Sequence, residues 1–242
     1  MQKRVLVTGA SRGIGKATAI ELASKGYDLY LVCSSSMDEL ESVRNYVVDK
    51  YGIDCRIAQT DVSNKEEVTT LIKDVLGTND LYAIINNAAM SYVGLLTQMS
   101  FEDWTRVMDT NLNSVFWICH EAVPYFINQK CGKIINISSM WGQVGASMEV
   151  AYSTAKGGVD SFTKALAKEL APSNVQVNAV SFGVIDTAMN SCFSAEEMQE
   201  LVDEIPACRL GYPKECAEMI VSILESPDYL TGQIIRMDGG LI

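Results

Sequence analysis

One histidine in 242 residues, and no Cys-x-x-Cys pair among seven cysteines, remove several chemistries at once. A Ser–His–Asp hydrolase or a histidine-rich metal centre has almost no raw material. The lone His120 falls in an apolar helical run with Val115, Phe116, Trp117 and Ile118, where a packed structural role is expected. The cysteine count is odd, which fits reduced thiols rather than a disulfide framework or a zinc site, and no metal is expected. Cations are also in short supply. The formal net charge of −11 argues against nucleic acid or an anionic membrane surface as partner. No apolar run is long enough to span a bilayer. The start, Met-Gln-Lys-Arg-Val-Leu-Val, enters a strand-like run at once without an apolar leader or cleavage site, so the cytoplasm is the expected compartment. Linkers, internal repeats and low-complexity stretches are missing too.

What is present is a core. Hydrophobic residues make up 48% of the chain, and the length suits one α/β domain. Strand-like runs at 4–8, 28–33, 54–59, 81–85, 133–137, 175–180 and 233–237 alternate with helical stretches. That alternation predicts a doubly wound parallel sheet, a Rossmann-type fold, in a single domain spanning 1–242. A long helix is expected over about 101–130 with Asn111 inside it, where Asn is disfavoured by propensity and marks either an irregularity or a function. The segment 181–210 reads as irregular or partly helical. Gly157 and Gly158, poor helix formers, read as places of close backbone or cofactor approach.

The first strand runs into Gly9-Ala-Ser11-Arg12-Gly13-Ile14-Gly15 and then a helix. Strand, glycine turn and helix bring backbone N–H groups to a phosphate. The second strand ends in Cys33-Ser34-Ser35-Ser36, without the acid that would hold an adenosine ribose 2′-hydroxyl. Arg12 either reaches a 2′-phosphate or is a solvated loop residue. The serines either join the site or cap the next helix. The reading that joins them to the site favours NADP(H) over NAD(H). Asp61, followed by Val62, approaches an adenine edge or is a turn residue. Asn86-Asn87-Ala88-Ala89 closes a buried strand at the edge where parallel sheets bind ligands.

Tyr152 and Lys156 are four residues apart, so on a helix they share a face. A Tyr titrates near ~10. An adjacent ammonium favours the phenolate and makes Tyr152 a proton donor for an alcohol/ketone pair. Ser138-Ser139 ends the preceding strand. The loop 141–149 supplies Trp141 and Glu149 as candidate substrate contacts. Glu149 either pairs with a cationic substrate group or stabilises the helix start.

Together, Thr8-Gly-Ala-Ser-Arg-Gly-Ile-Gly15, Asn86-Asn-Ala88, Asn111, Ser139, Tyr152-x-x-x-Lys156 and Asp238-Gly-Gly240 resemble the short-chain dehydrogenase/reductase family over essentially the whole chain. The resemblance implies a seven-stranded sheet in the order 3-2-1-4-5-6-7 and a homotetramer. Tyr152 would be the acid/base. Lys156 would lower its pKa and hold the nicotinamide ribose. Ser139 would polarise the carbonyl, and Asn111 would support a water. The glycine turn with Arg12, Ser34, Asp61, Val62, Asn87, Ala88, Ile185 and Thr187 would line the cofactor. Two positions depart from the family pattern: Ala89 stands for a usual Gly, and Phe182 precedes Gly183 in place of Pro.

Within the family the chain is similar to bacterial 3-oxoacyl-acyl-carrier-protein reductases. The run from Ser138 to Gly157, with Lys168-Glu-Leu-Ala-Pro172 and Asp203-Glu-Ile-Pro206, resembles elongation factor P 5-aminopentanone reductases more narrowly. Of the basic residues that dock an acyl carrier, Lys130 is present and Ser173 stands where a second is expected. The implied substrates are a small ketone, an acyl thioester or a ketone on a modified protein. The alternative class is a non-catalytic NADP(H)-sensing regulator on the same fold.

Overall fold

The computed structural model describes residues 3–190 and 194–242. Seven strands form one sheet: β1 (Arg4–Thr8), β2 (Asp28–Cys33), β3 (Cys55–Gln59), β4 (Leu81–Asn86), β5 (Gly132–Ser139), β6 (Val175–Phe182) and β7 (Ile234–Met237). Their order is β3-β2-β1-β4-β5-β6-β7 and every pairing is parallel, as expected. Period-two alternation explains the two cores. Val5 and Val7 of β1 face one side, with α1 (Gly13–Ser24), α2 (Met37–Tyr51) and α9 (Pro213–Leu224). Leu6 faces the other, with α3 (Lys65–Leu76), α5 (Ser114–Gln129) and α7 (Val150–Leu170). Among the described residues no helix is long and apolar enough to cross a membrane.

The strands run past their apolar stretches. β4, β5 and β6 end on Asn86, Ser139 and Phe182, with polar side chains still in the sheet. Burial demands partners for them. Asn86 Nδ2 donates to Asn136 Oδ1 at 2.8 Å, and Asn136 Nδ2 donates to Thr163 Oγ1 at 2.8 Å.

One expectation changes, and two gain detail. The stretch 101–130 is helical as far as Gln129, with the irregularity at Asn111. It is α4 (Phe101–Met108), a π-helical turn (Asp109–Asn113) and then α5. In the segment 181–210, α8 (Ala195–Glu204) opens on a capping box made by Ser194 and Glu197. His120 is not packed: its side chain is 67% exposed, beside Phe116 and 3.5 Å from Glu121. Helical phase is the reason. Val115, Ile118, Cys119, Ala122 and Phe126 take the inner face, which puts Phe116 and His120 on the outer one.

At the amino ends of the strands, Arg4 is buried among carboxylates. Its guanidinium donates to Asp80 at 2.9 Å, to Asp54 at 2.7 Å and to the Leu29 carbonyl at 3.0 Å, with Asp28 at 3.9 Å. Burial alone would raise the Asp80 carboxyl. Hydrogen bonds from Arg4 and Thr78, and the charge of Arg4, outweigh it and hold that carboxyl below its ordinary value. A depressed carboxyl stabilises the fold above its unfolded pKa, and that contribution is lost as pH falls through the folded value. Arg4→Met should therefore cost about 3–5 kcal/mol at neutral pH. The gap from the unmodified protein should narrow below roughly pH 4. Urea unfolding at both pH values checks this; a gap independent of pH would contradict it.

Candidate active site

β1 and β4 leave the sheet side by side, and Thr8 joins them. Its Oγ1 accepts from the backbone N–H groups of Asn87 and Ala88, both at 3.0 Å. Asn87 Nδ2 returns two bonds, to the Thr8 carbonyl at 2.9 Å and the Gly9 carbonyl at 3.1 Å. The chain then turns through Gly9, at φ +65°, and comes back against itself. A Cβ on Gly15 would lie 2.1 Å from the Gly9 carbonyl oxygen, so no other residue fits there. The unbonded N–H groups of the first turn of α1 consequently face a cleft of about 700 Å³ at the carboxyl edge of the sheet.

Nearly all the expected cofactor residues meet in this cleft. Gly9, Ser11, Arg12, Gly13, Ile14 and Gly15 form its floor. Ser34, Asp61 and Val62 line one end, and Asn87, Ala88, Tyr152, Lys156 and Thr187 also line it. Ile185 lies instead in an adjoining pocket of about 110 Å³, together with Ser139, Trp141, Glu149 and Phe182. Tyr152 lines both cavities and marks their junction. Asp61 is also a turn residue, because its Oδ1 accepts from the Ser63 N–H at 2.9 Å and the Ser63 hydroxyl at 2.7 Å. Arg12 is exposed and makes no ion pair among the described residues.

Asn111 borders neither cavity. It is buried in the π-helical turn and grips one backbone unit, with Oδ1 accepting from Met90 N at 2.8 Å and Nδ2 donating to Met90 O at 2.7 Å. Its irregular helix and its grip on the loop after β4 go together, since the extra residue of a π turn re-aims the side chain.

On α7 the pair Tyr152 and Lys156 is buried. Burial pushes the Tyr152 phenol up to about 12, opposed by its hydrogen bond with the Ser139 hydroxyl and reinforced by the charge of Glu149. Burial likewise pushes the Lys156 ammonium down to about 8, opposed by Asp160. The expectation that Lys156 acidifies Tyr152 is not met in this arrangement. Lys156 Nζ donates to the Ile137 carbonyl at 2.7 Å and stands 5.6 Å from the centre of the tyrosine ring. Desolvation of the phenol therefore dominates. Close packing holds α7 in place, because a Cβ on Gly142 would lie 2.7 Å from the Lys156 carbonyl carbon. That is the close backbone approach expected of Gly157. Gly158 instead faces the Leu112 side chain.

Glu149 sits at the N-terminal cap position of α7 but makes no side-chain cap bond. Its Oε2 accepts from the Ser91 hydroxyl at 3.0 Å, and burial raises its carboxyl above the ordinary value despite that bond. Ser91 was not legible as a site residue, nor was Arg106, which lines the large cleft from α4. Both reach the site only through the fold. Of the two departures from the family pattern, Ala89 lines the cleft. Phe182 walls the small pocket, in register with Ser139 on β5 and Met237 on β7.

Residues 3–198 match the family described as short chain dehydrogenase. An uncharacterized oxidoreductase of Bacillus subtilis (strain 168) is 38% identical over 241 residues, covering 99% of this chain and 99% of its own. A 3-oxoacyl-acyl-carrier-protein reductase of Aquifex aeolicus (strain VF5) is 36% identical over 238 residues, 98% of this chain and 96% of its own. Another of that name, from a Synechocystis strain, is 41% identical over 241 residues, again 98% and 96%. The parallel sheet, the glycine-floored cleft and these matches place the chain in the short-chain dehydrogenase family, oxidoreductases that work with a nicotinamide cofactor.

Proposed function

We propose that this protein reduces a ketone to a secondary alcohol with NADPH. The observation that carries the reading is the buried Tyr152, which lines both cavities and shares the smaller one with Ser139. The residues present suit a nicotinamide dinucleotide. Free N–H groups of α1 and the glycine floor would take the pyrophosphate, and Asp61 and Val62 flank space for the adenine. Arg12 and the acid-free end of β2 suit a 2′-phosphate. When bound, the reduced cofactor supplies the hydride.

The chain's own residues would then handle the oxygen. Ser139 and Tyr152 donate hydrogen bonds to the ketone oxygen, where negative charge develops. Tyr152 gives up its proton to the alkoxide. A phenol pushed up to about 12 is fully protonated at neutral pH, the state a donor needs. The Lys156 ammonium stabilises the phenolate left behind, and solvent returns the proton.

For the substrate, the half-buried Glu149 favours a ketone that carries a cation. A buried carboxylate is costly without a partner. An ammonium several bonds from the ketone, as on a 5-aminopentanone-modified elongation factor P, would provide one. The names of the relatives favour a second reading, a 3-oxoacyl thioester.

Tyr152→Phe should keep NADPH binding, with folding checked by circular dichroism, and lose at least about 10²–10⁴-fold in ketone reduction. Near-normal turnover by that variant would remove Tyr152 from its role. An absence of NADPH consumption by the unmodified protein over a panel of ketones would favour a nucleotide sensor. Arg12→Ala should weaken NADPH about tenfold to a hundredfold and leave NADH little changed, the worth of one charge-assisted contact. Equal kcat/KM for both cofactors in the unmodified enzyme would refute the preference. Glu149→Gln should raise KM for a cationic amino-ketone and spare a neutral ketone of the same shape. Equal effects on the two would leave the thioester reading ahead.

A further inference from the structure

The reaction just described uses Tyr152, Lys156 and Ser139, but a second ionisable group lies buried beside them. Asp160 is one turn beyond Lys156 on α7 and 6% exposed. Lys156, Asp160 and Lys164 recur at four-residue intervals, so they lie along one ridge of the helix with charges alternating from the cleft outward. Across from the ridge lies Ser138 on β5: its hydroxyl donates to the Lys156 carbonyl at 3.4 Å, and it also draws the Asp160 carboxyl toward its charged form. Asp160 Oδ1 is buried without a hydrogen-bond partner, and so is Oγ of Ser181, the residue that pairs in register with Ser138 on β6. A buried carboxylate that is only partly satisfied is expensive. Its neighbours need no such charge: Val159 is apolar core, and the Thr163 hydroxyl is satisfied by Asn136 and the Val159 carbonyl.

We propose that Asp160 is a positioning residue for the reaction: its carboxylate, one turn behind Lys156, keeps the ammonium charged while Tyr152 transfers its proton. The inference rests on the reading of Tyr152 and Lys156 given above. Lys156 needs such help because burial brings it down to about 8 even with Asp160 opposing the shift, so without that carboxylate its charge would be lost at a lower pH still. Burial raises the Asp160 carboxyl in turn, while Ser138, Lys164 and Lys156 draw it back. The surrounding elements offer no better counter-charge. α6 (Trp141–Val144), β6 and the 3₁₀ turn Ala171–Ser173 carry no ionisable side chain. β5 has only Lys133, which is held by Asp228 at 3.2 Å. On α4, Glu102 and Asp103 occupy the first turn, and Arg106 lines the cleft as a like charge. Asp109 of the π-helical turn is bonded to Asn113. Glu149 acts on Tyr152 from the other end of α7 and raises its phenol.

The test uses the full-length protein with ¹³C at the lysine ε-carbons. The Lys156 resonance is assigned by its loss in Lys156→Met and followed by NMR against pH. Asp160→Asn should lower its midpoint by roughly half a pH unit or more, and Asp160→Glu should move it back. In NADPH-dependent ketone reduction, the alkaline limb of the kcat/KM profile should shift the same way. The sign follows because removing an anion makes both Lys156 and Tyr152 lose their protons at lower pH. If Asp160→Asn does not fold, Asp160→Ser, which still offers a polar atom to Ser138, carries the same measurement. A purely structural role would lower the melting temperature and the amplitude without moving either midpoint, and that result overturns the proposal. So does an NMR shift with an unmoved kinetic limb. Tyr152→Phe separates the two levels. If it stays active, the reading of the site fails. If it is inactive while the Lys156 midpoint is unchanged in Asp160→Asn, only the role of Asp160 fails.

Discussion

The Thr8 hydroxyl, accepting two backbone N–H groups from the turn after β4, is the contact on which the cleft depends. Adjacent strands of a parallel sheet splay where their ladders end, and their last backbone groups lose their partners. Here one side-chain oxygen and the Asn87 amide replace the missing rungs, so the two exits stay in contact. With β4 held against β1, Gly9 and Gly15 have room for nothing larger than hydrogen, and α1 starts at a fixed height above the sheet. The direction of its free N–H groups follows from that height.

Desolvation governs the chemistry on the other wall. Tyr152, Lys156 and Glu149 are all displaced toward their neutral forms, and in each case burial is the leading cause. Ser139, Asp160 and Ser91 each oppose it for one of the three. The result is a set of groups whose protonation is biased by dry surroundings rather than by one another. A distance alone would not reveal this: the four-residue spacing of Tyr152 and Lys156 put them on one face, yet their pKa values are set by the walls around them.

Much of this was legible in the sequence. The strand–helix alternation pointed to a parallel sheet with a two-sided core, because buried parallel strands are continuous apolar runs bounded by turns, while the strand order came only from the family resemblance. The glycine turn, Asn87 and the Tyr152–Lys156 spacing located the cleft. The strand ends were missed because Asn86, Ser138 and Ser181 are polar yet stay in the sheet, and the bonds that Asn86 and Ser138 make there are ones no local pattern encodes. Ser91 was invisible for the same reason, since its partner Glu149 is 58 positions away. His120 was misjudged by counting apolar neighbours rather than their helical phase. The start of α8, in contrast, had a readable signal in Ser194 and Glu197, the two ends of a capping box.

The π-helical turn has a geometric consequence for everything after it. An α-helix advances about 100° per residue, so one extra residue in a turn rotates the downstream face by about that much. α4 and α5 are thus one rod with a phase slip at Asp109–Asn113. Upstream, Val107 points into the protein; downstream, Val115, Ile118 and Phe126 meet the sheet, and Asn111 at the slip turns inward toward Met90. The slip lets one continuous helix satisfy two surfaces that an unbroken α-helical period could not face together. Its register is locked by a single amide, so the helix works as an indexed coupling between the outer wall of the cleft and the loop that carries Ser91.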